Sequence, residues 1–213
     1  MEHIRAFLGI PLPGAYQDGL AALGPRLAAI APARLALTRP GSWHLTLKFL
    51  GHTPRRGPTG IQAVGQALAG VVWEAFVLLG GGGGFFPNAA RPRVVYVGLS
   101  RGARDCRELA GRVEAALSAL GVPPEPRAFI PHLTVARVRD FPKDRGGKGG
   151  WDEVAGRLAR AVWPECVVDR FVLYQSILGP HGPRYEVVEE FPARGVAPGG
   201  GPAKGANRAG CPS

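Results

Sequence analysis

SWHLTLKFLG at residues 42–51 and PHLTVARV at residues 131–138 decide how this chain folds. In the first, Leu45 and Leu47 alternate with His44 and Thr46; in the second, Leu133 and Val135 alternate with His132 and Thr134. A period of two is the mark of a strand with one buried face. Each segment therefore sends its aliphatic residues into a core and sets an imidazole beside a hydroxyl on the opposite face.

The surroundings of the two segments also match. An apolar run at 4–10, closed by Pro11 and Pro13, predicts a strand, and Leu20, Leu23, Leu27 and Ile30 at helical spacing predict a helix over 15–30. Short strands at 34–38 and 43–50, a helix at 59–69 and a strand at 71–79 follow, and the glycines at 80–84 read as a flexible turn. The order then begins again, with a strand at 93–99 and a helix at 103–120 that carries Cys106, Leu109, Val113, Leu117 and Leu120 on one stripe. After it come the motif strand at 132–138, a Gly/Lys-rich loop at 142–150, a helix at 151–162 and strands at 166–177 and 184–191. Such a duplication implies two lobes, and a pseudo-twofold axis between them would face the motif strands across a cleft. The length suits one domain over 1–192, while 193–213, rich in Gly, Pro and Ala with little to bury, predicts a disordered tail.

Composition narrows the function classes. The chain has 213 residues, 26 Lys plus Arg against 16 Asp plus Glu, and a formal net charge of +10. Arginine, whose fork suits phosphate oxygens, makes up 22 of those basic residues. An anionic partner and a GC-rich genome both account for that bias. Cys106, Cys166 and Cys211 lie far apart without C-x-x-C spacing, which points away from a disulfide framework or a cysteine zinc site and toward a reducing cytoplasm. The N-terminal apolar run is too short for a signal peptide, and no later stretch is long enough to cross a bilayer.

Two imidazoles on opposite sides of one small anion suit in-line displacement at phosphorus. Histidine titrates near neutrality, so His44 and His132 can supply base and acid together. Thr46, Thr134 and a nearby Arg or Lys would hold the non-bridging oxygens as charge builds in the transition state. By simple alternation Lys48 shares a face with His44 and Thr46 and is a candidate phosphate contact. No Asp or Glu occurs between Asp18 and Glu74 or between Glu125 and Asp140, so neither motif has a local carboxylate to act as a base or bind magnesium. Zinc held by the motif histidines and a third remains open, although His3, His52 and His181 lack ligand spacing and read as surface residues. Phe85, Phe86 and Tyr185 read as core or rim residues that could also line a nucleotide groove.

Several runs resemble one known family: Arg39-Pro40-x-x-Trp43-His44-Leu45-Thr46-Leu47-Lys48-Phe49-Leu50-Gly51, Pro131-His132-Leu133-Thr134-Val135-Ala136-Arg137, and Leu178-Gly179-Pro180-x-Gly182-x-x-Tyr185-Glu186. They look like those of the 2H phosphoesterases, and within them the RNA 2′,3′-cyclic phosphodiesterases, also described as 2′-5′ RNA ligases. The resemblance spans residues 4–191 and implies a bilobal α+β fold, with antiparallel sheets flanked by helices around a central groove. It implies no metal and no cofactor, a monomer, and hydrolysis of a 2′,3′-cyclic phosphate to the 2′-phosphate. RNA ends, tRNA halves or small nucleotide cyclic phosphates would be the substrates, with 2′-5′ ligation as a companion reaction. By position, His44 would be the base toward water and His132 the acid at the 3′ oxygen, although near-symmetry leaves the roles exchangeable. Thr46, Thr134 and Arg137 would bind phosphate, and Phe49 would stack on the terminal base. Arg137 and Phe49 each lie five residues past their histidine, so regular alternation would turn both away, and a bulge, the strand end or arginine's reach must resolve this. A module on the same fold that binds nucleotides or RNA with weak catalysis is the competing reading.

Overall fold

The opening apolar run forms strand β1 (His3–Pro11), and the leucine stripe after it forms helix α1 (Gly14–Ile30), burying Tyr16, Leu20, Leu23 and Leu27. The protein is described by a computed structural model over residues 2–140, 149–179 and 182–196. The first half continues with β2 (Arg34–Leu37), β3 (His44–Pro54), α2 (Ile61–Ala69) and β4 (Phe76–Phe86). In the second half come β5 (Val94–Arg101), α3 (Ala103–Ser118), β6 (Leu133–Asp140), α4 (Gly149–Ala159), β7 (Glu165–Val168), β8 (Arg170–Gly179) and β9 (Gly182–Pro192).

Among the described residues these strands build one curled sheet in the order β7-β4-β5-β6-β3-β1-β8-β9, with β2 beside β6. Every pairing is antiparallel. Read outward from the β6–β3 centre, the order is symmetric, and it crosses the halves of the chain. Strand β4, from the first half, lies between β5 and β7; β8, from the second half, lies between β1 and β9. Helices cross too, with α1 packing on β6 and α4, and α3 on β3 and α2. Each lobe is thus assembled from both halves, which is the pseudo-twofold α+β arrangement expected, drawn as one sheet and not two.

The lobes meet at a single ladder pair, Leu45 opposite Leu133. Both leucines are wholly buried, so replacing either with alanine should cost roughly 2–5 kcal/mol. Directly paired residues point to the same face of a sheet. The helix-covered core thus takes the two leucines, while His44, Thr46, His132 and Thr134 are sent to the other face.

Three expectations need correction. The glycines at 80–84 are not a turn but the middle of β4. A Cβ on Gly80 would sit 2.6 Å from the Trp163 ring, and one on Gly83 would sit against the Tyr96 carbonyl oxygen. Close approach, not flexibility, selects glycine there. The strand expected over 166–177 is broken at Asp169 into β7 and β8. Finally, the tail does not begin at Ala193, which is buried and donates its N–H to the Asp169 carbonyl at 2.7 Å, while Arg194 donates to Trp73 at 2.8 Å. Residues 197–213, the expected loop up to residue 148, and His181 lie outside the described residues.

Candidate active site

His44 opens β3 and His132 immediately precedes β6, and both line one groove of about 760 Å³ between the lobes. Continuing the ladder from Leu45 and Leu133 sets His44 opposite Thr134 and Thr46 opposite His132, so the imidazoles occupy diagonal positions. In a ladder of ordinary geometry such positions are about 7–8 Å apart, a gap that a phosphate fills. Each ring is fixed in the same way. Nδ1 of His44 donates to the Ser42 carbonyl at 2.9 Å, and Nδ1 of His132 to the Ile130 carbonyl at 2.7 Å. A carbonyl can only accept, so both Nδ1 atoms carry hydrogen and both Nε2 atoms are left for chemistry. Gly9 lets the first ring lie against β1, because a Cβ there would come within 3.2 Å of His44 Cδ2.

Burial lowers the pKa of His44 to about 4; its bond to Ser42 opposes the shift, and charge on His132 adds to it. His132 is also lowered, chiefly by burial and further by Arg137, with the Ile130 bond opposing. The mutual repulsion means that the empty pair resists holding two protons at once. An anion seated between the rings reverses that balance.

Of the three ways that the sequence left open to bring Arg137 and Phe49 back, the structure uses bulges. Gly9 pairs with Thr46 and Leu8 with Lys48, which leaves Leu47 as the extra residue of β3; Tyr96 pairs with Thr134 and Val95 with Ala136, which leaves Val135 as the extra residue of β6. Both bulges fall three residues past a motif histidine. Each reverses the alternation, so Phe49 and Arg137 come back to the groove. Phe49 is 67% exposed at its mouth. The same bulge removes Lys48, which is only 6% exposed and points to the helix side. Its Nζ donates to Glu114 Oε1 at 2.7 Å and to the Pro123 carbonyl at 3.0 Å. The expected phosphate contact is therefore a structural pin that ties β3 to helix α3 and to the segment that follows it.

Two copies of one pattern, each with its histidine strand and its bulge, are what the sequence matches as well: the family described as LigT like Phosphoesterase is found twice, over residues 10–96 and 97–185. The chain is a LigT-like phosphoesterase. It is 35% identical over 202 residues to a Thermus thermophilus protein named RNA 2′,3′-cyclic phosphodiesterase, covering 90% of this chain and 91% of that one. An Aeropyrum pernix protein of the same name is 32% identical over 152 residues, 71% of this chain and 82% of its own. The fold superposes on Escherichia coli LigT complexed with 3′-AMP with a TM-score of 0.69 at 21% identity, covering 91% and 99% of the two chains. A crystal structure from Thermus thermophilus gives 0.65 at 29% identity, covering 91% and 100%.

Around each of the two histidines this LigT-like phosphoesterase places aromatic rings. His44 is enclosed by aromatic rings, with Phe7 at 4.6 Å and Tyr185 edge-on at 5.1 Å. His132 has Phe86 at 4.9 Å and Tyr96 at 5.4 Å. Tyr185 thus belongs to the groove, and Phe86 to the second imidazole's packing, whereas Phe85 packs on Trp151. Sequence reasoning missed Phe7, Arg5, Arg39 and Arg139. Arg139 could have been found, being two residues past Arg137; Arg5 and Phe7 carry no local signal, since it is β1's pairing with β3 that brings them in. Among the described residues no group of three or more His, Cys, Asp or Glu side chains is placed to hold a metal ion, and no helix is long and apolar enough to cross a membrane.

Proposed function

We propose that this phosphoesterase hydrolyses a 2′,3′-cyclic phosphate at an RNA end to the 2′-phosphate, without a metal, by two-histidine acid-base catalysis. The observation that carries the reading is the mirrored pair of imidazoles, each with Nδ1 tied to the carbonyl two residues back and Nε2 left to the groove. The names of its relatives support the substrate class.

Water attacks phosphorus in line with the 3′ oxygen. His44, the ring that burial holds neutral, takes the proton from water at Nε2. A new P–O bond forms, the bond from phosphorus to O3′ breaks, and protonated His132 delivers its Nε2 proton to O3′. The products are a 2′-phosphate and a 3′-hydroxyl, and one proton passed from His44 back to His132 resets the pair. Thr46, Thr134 and Arg137 hold the non-bridging oxygens, and Phe49 offers its exposed ring to the terminal base. A 5′-hydroxyl in place of water would yield a 2′-5′ linkage through the same groups.

The test is turnover of 2′,3′-cyclic AMP in EDTA with identification of the product isomer. His44→Ala and His132→Ala should each lower kcat about 10²–10⁴-fold, the usual contribution of a general acid or base. Retained turnover in either variant, or dependence on added metal, would overturn the mechanism.

A further inference from the structure

The turn that leads into the first histidine is held by a side chain from another element. Arg39-Pro40-Gly41-Ser42 closes with the Ser42 N–H donating to the Arg39 carbonyl at 3.0 Å, and Gly41, at its third position, has a φ of +79°, which glycine adopts without strain. Trp43 follows, and β3 starts at His44. Because the Ser42 carbonyl accepts from His44 Nδ1, the direction of the Ser42–Trp43 peptide sets the orientation of the imidazole.

Gln17, the fourth residue of α1, grips that peptide from both sides. Its Oε1 accepts from the Gly41 N–H at 3.2 Å, while its Nε2 donates to the Trp43 carbonyl at 3.0 Å and, at 3.4 Å, to the Leu12 carbonyl. An N–H only donates and a carbonyl only accepts, so one orientation of the amide serves all of these partners. Ser42 is the residue enclosed between the first two contacts. Helix α1 packs on β6 and α4, so the clamp reaches from the lobe of one histidine to the turn that aims the other. The second motif fixes its carbonyl by covalent means. There the residue between Ile130 and His132 is Pro131, whose ring sets φ. Trp43 at the matching place has no ring in its backbone, and Gln17 supplies the missing restraint.

Resting on the cyclic phosphodiesterase reading, we propose that Gln17 is a positioning residue for the general base: it locks the backbone at 41–43 so that the Ser42 carbonyl keeps hydrogen on Nδ1 of His44 and leaves the Nε2 lone pair to the attacking water. Without the clamp the carbonyl can swing away and the neutral ring divides between its two tautomers. In the Nε2–H form no lone pair faces the groove.

Tautomers and kinetics together test this. In protein labelled with nitrogen-15 histidine, long-range proton–nitrogen correlations at pH 7 distinguish the two tautomers, and the His44 signals are assigned by their loss in His44→Gln. The wild-type protein should hold His44 and His132 as Nδ1–H. Gln17→Leu should mix the tautomers of His44 alone and lower kcat on 2′,3′-cyclic AMP about 10–10²-fold with KM changed less than about threefold, the scale and signature of a misplaced reacting group. Gln17→Glu keeps the acceptor for Gly41 but sets a carboxylate against the Trp43 carbonyl, and an acidic residue is favoured at a helix start, so it gives the same test should the leucine variant not fold. An Nε2–H ring at His44 in the wild-type protein, a pure Nδ1–H ring there in the folded Gln17 variants, equal mixing at His132, an unchanged kcat, or a loss carried by KM would each overturn the role of Gln17. Absence of turnover in the wild-type protein would instead sink the underlying reading, while the tautomers would still decide whether Gln17 orders the ring.

Discussion

At the scale of single residues, His44 carries two measurable consequences. Its free-enzyme pKa of about 4 and the lowering of His132 below 6.5 set the limbs of the pH profile. The proposed mechanism requires His44 neutral, so kcat/KM should fall as pH drops through the lower value; it requires His132 protonated, so kcat/KM should also fall as pH rises through the upper one. A bell with its maximum between about 4 and 6.5 is expected for kcat/KM, while the kcat bell, set by the anion-bound enzyme, should move to higher pH. A monotonic rise into alkaline pH would contradict the assignment. The same shift acts on stability. Because folding depresses the pKa, the unfolded chain takes up its proton first as pH falls, and about 3 kcal/mol present above pH 6.5 is lost on the way down to about 4. Denaturant midpoints at pH 7 and pH 4.5 should therefore diverge less in His44→Gln than in the wild-type protein. The residues of this centre were legible because each motif is local. The aromatic cage of His44 was not, since Phe7 and Tyr174 reach it only through strand pairing.

At the scale of elements, the two bulges sort the neighbours of the histidines into those that face the groove and those that face the core. Arg137→Ala should lower kcat/KM about 10²-fold, as loss of a phosphate donor does, whereas Lys48→Met should change it less than about threefold. Glu114→Gln, which strips the buried Lys48 ammonium of its carboxylate, should instead cost roughly 1–3 kcal/mol in thermal unfolding. If Lys48→Met matched Arg137→Ala in activity, the bulge at Leu47 would be wrongly placed. Sequence called for some irregularity here, because Arg137 and Phe49 were out of phase, but alternation alone kept Lys48 in the site. One inserted residue decides between these and leaves no mark in hydrophobic pattern. The glycine-rich strand was hidden for a related reason: its glycines answer to Trp163 and Tyr96, which are remote in sequence.

At the scale of the whole molecule, the duplication visible in the sequence predicts two lobes, yet it does not reveal what each lobe borrows from the opposite half: β8, β9 and α3 on the β3 side, β2, β4 and α1 on the β6 side. Residues 1–90 and 91–213 expressed separately should each fail to unfold cooperatively by circular dichroism, and mixing them should restore both a transition and turnover. A half that folded alone would contradict the exchange. Strand β1 can pair with β3 once both have left the ribosome, but its other neighbour, β8, follows more than a hundred residues after β3 and ends at Gly179. Until β8 has been translated, one edge of the nascent sheet stays open to any passing strand, so closing it waits for the second half of the duplication and depends on that edge being shielded meanwhile.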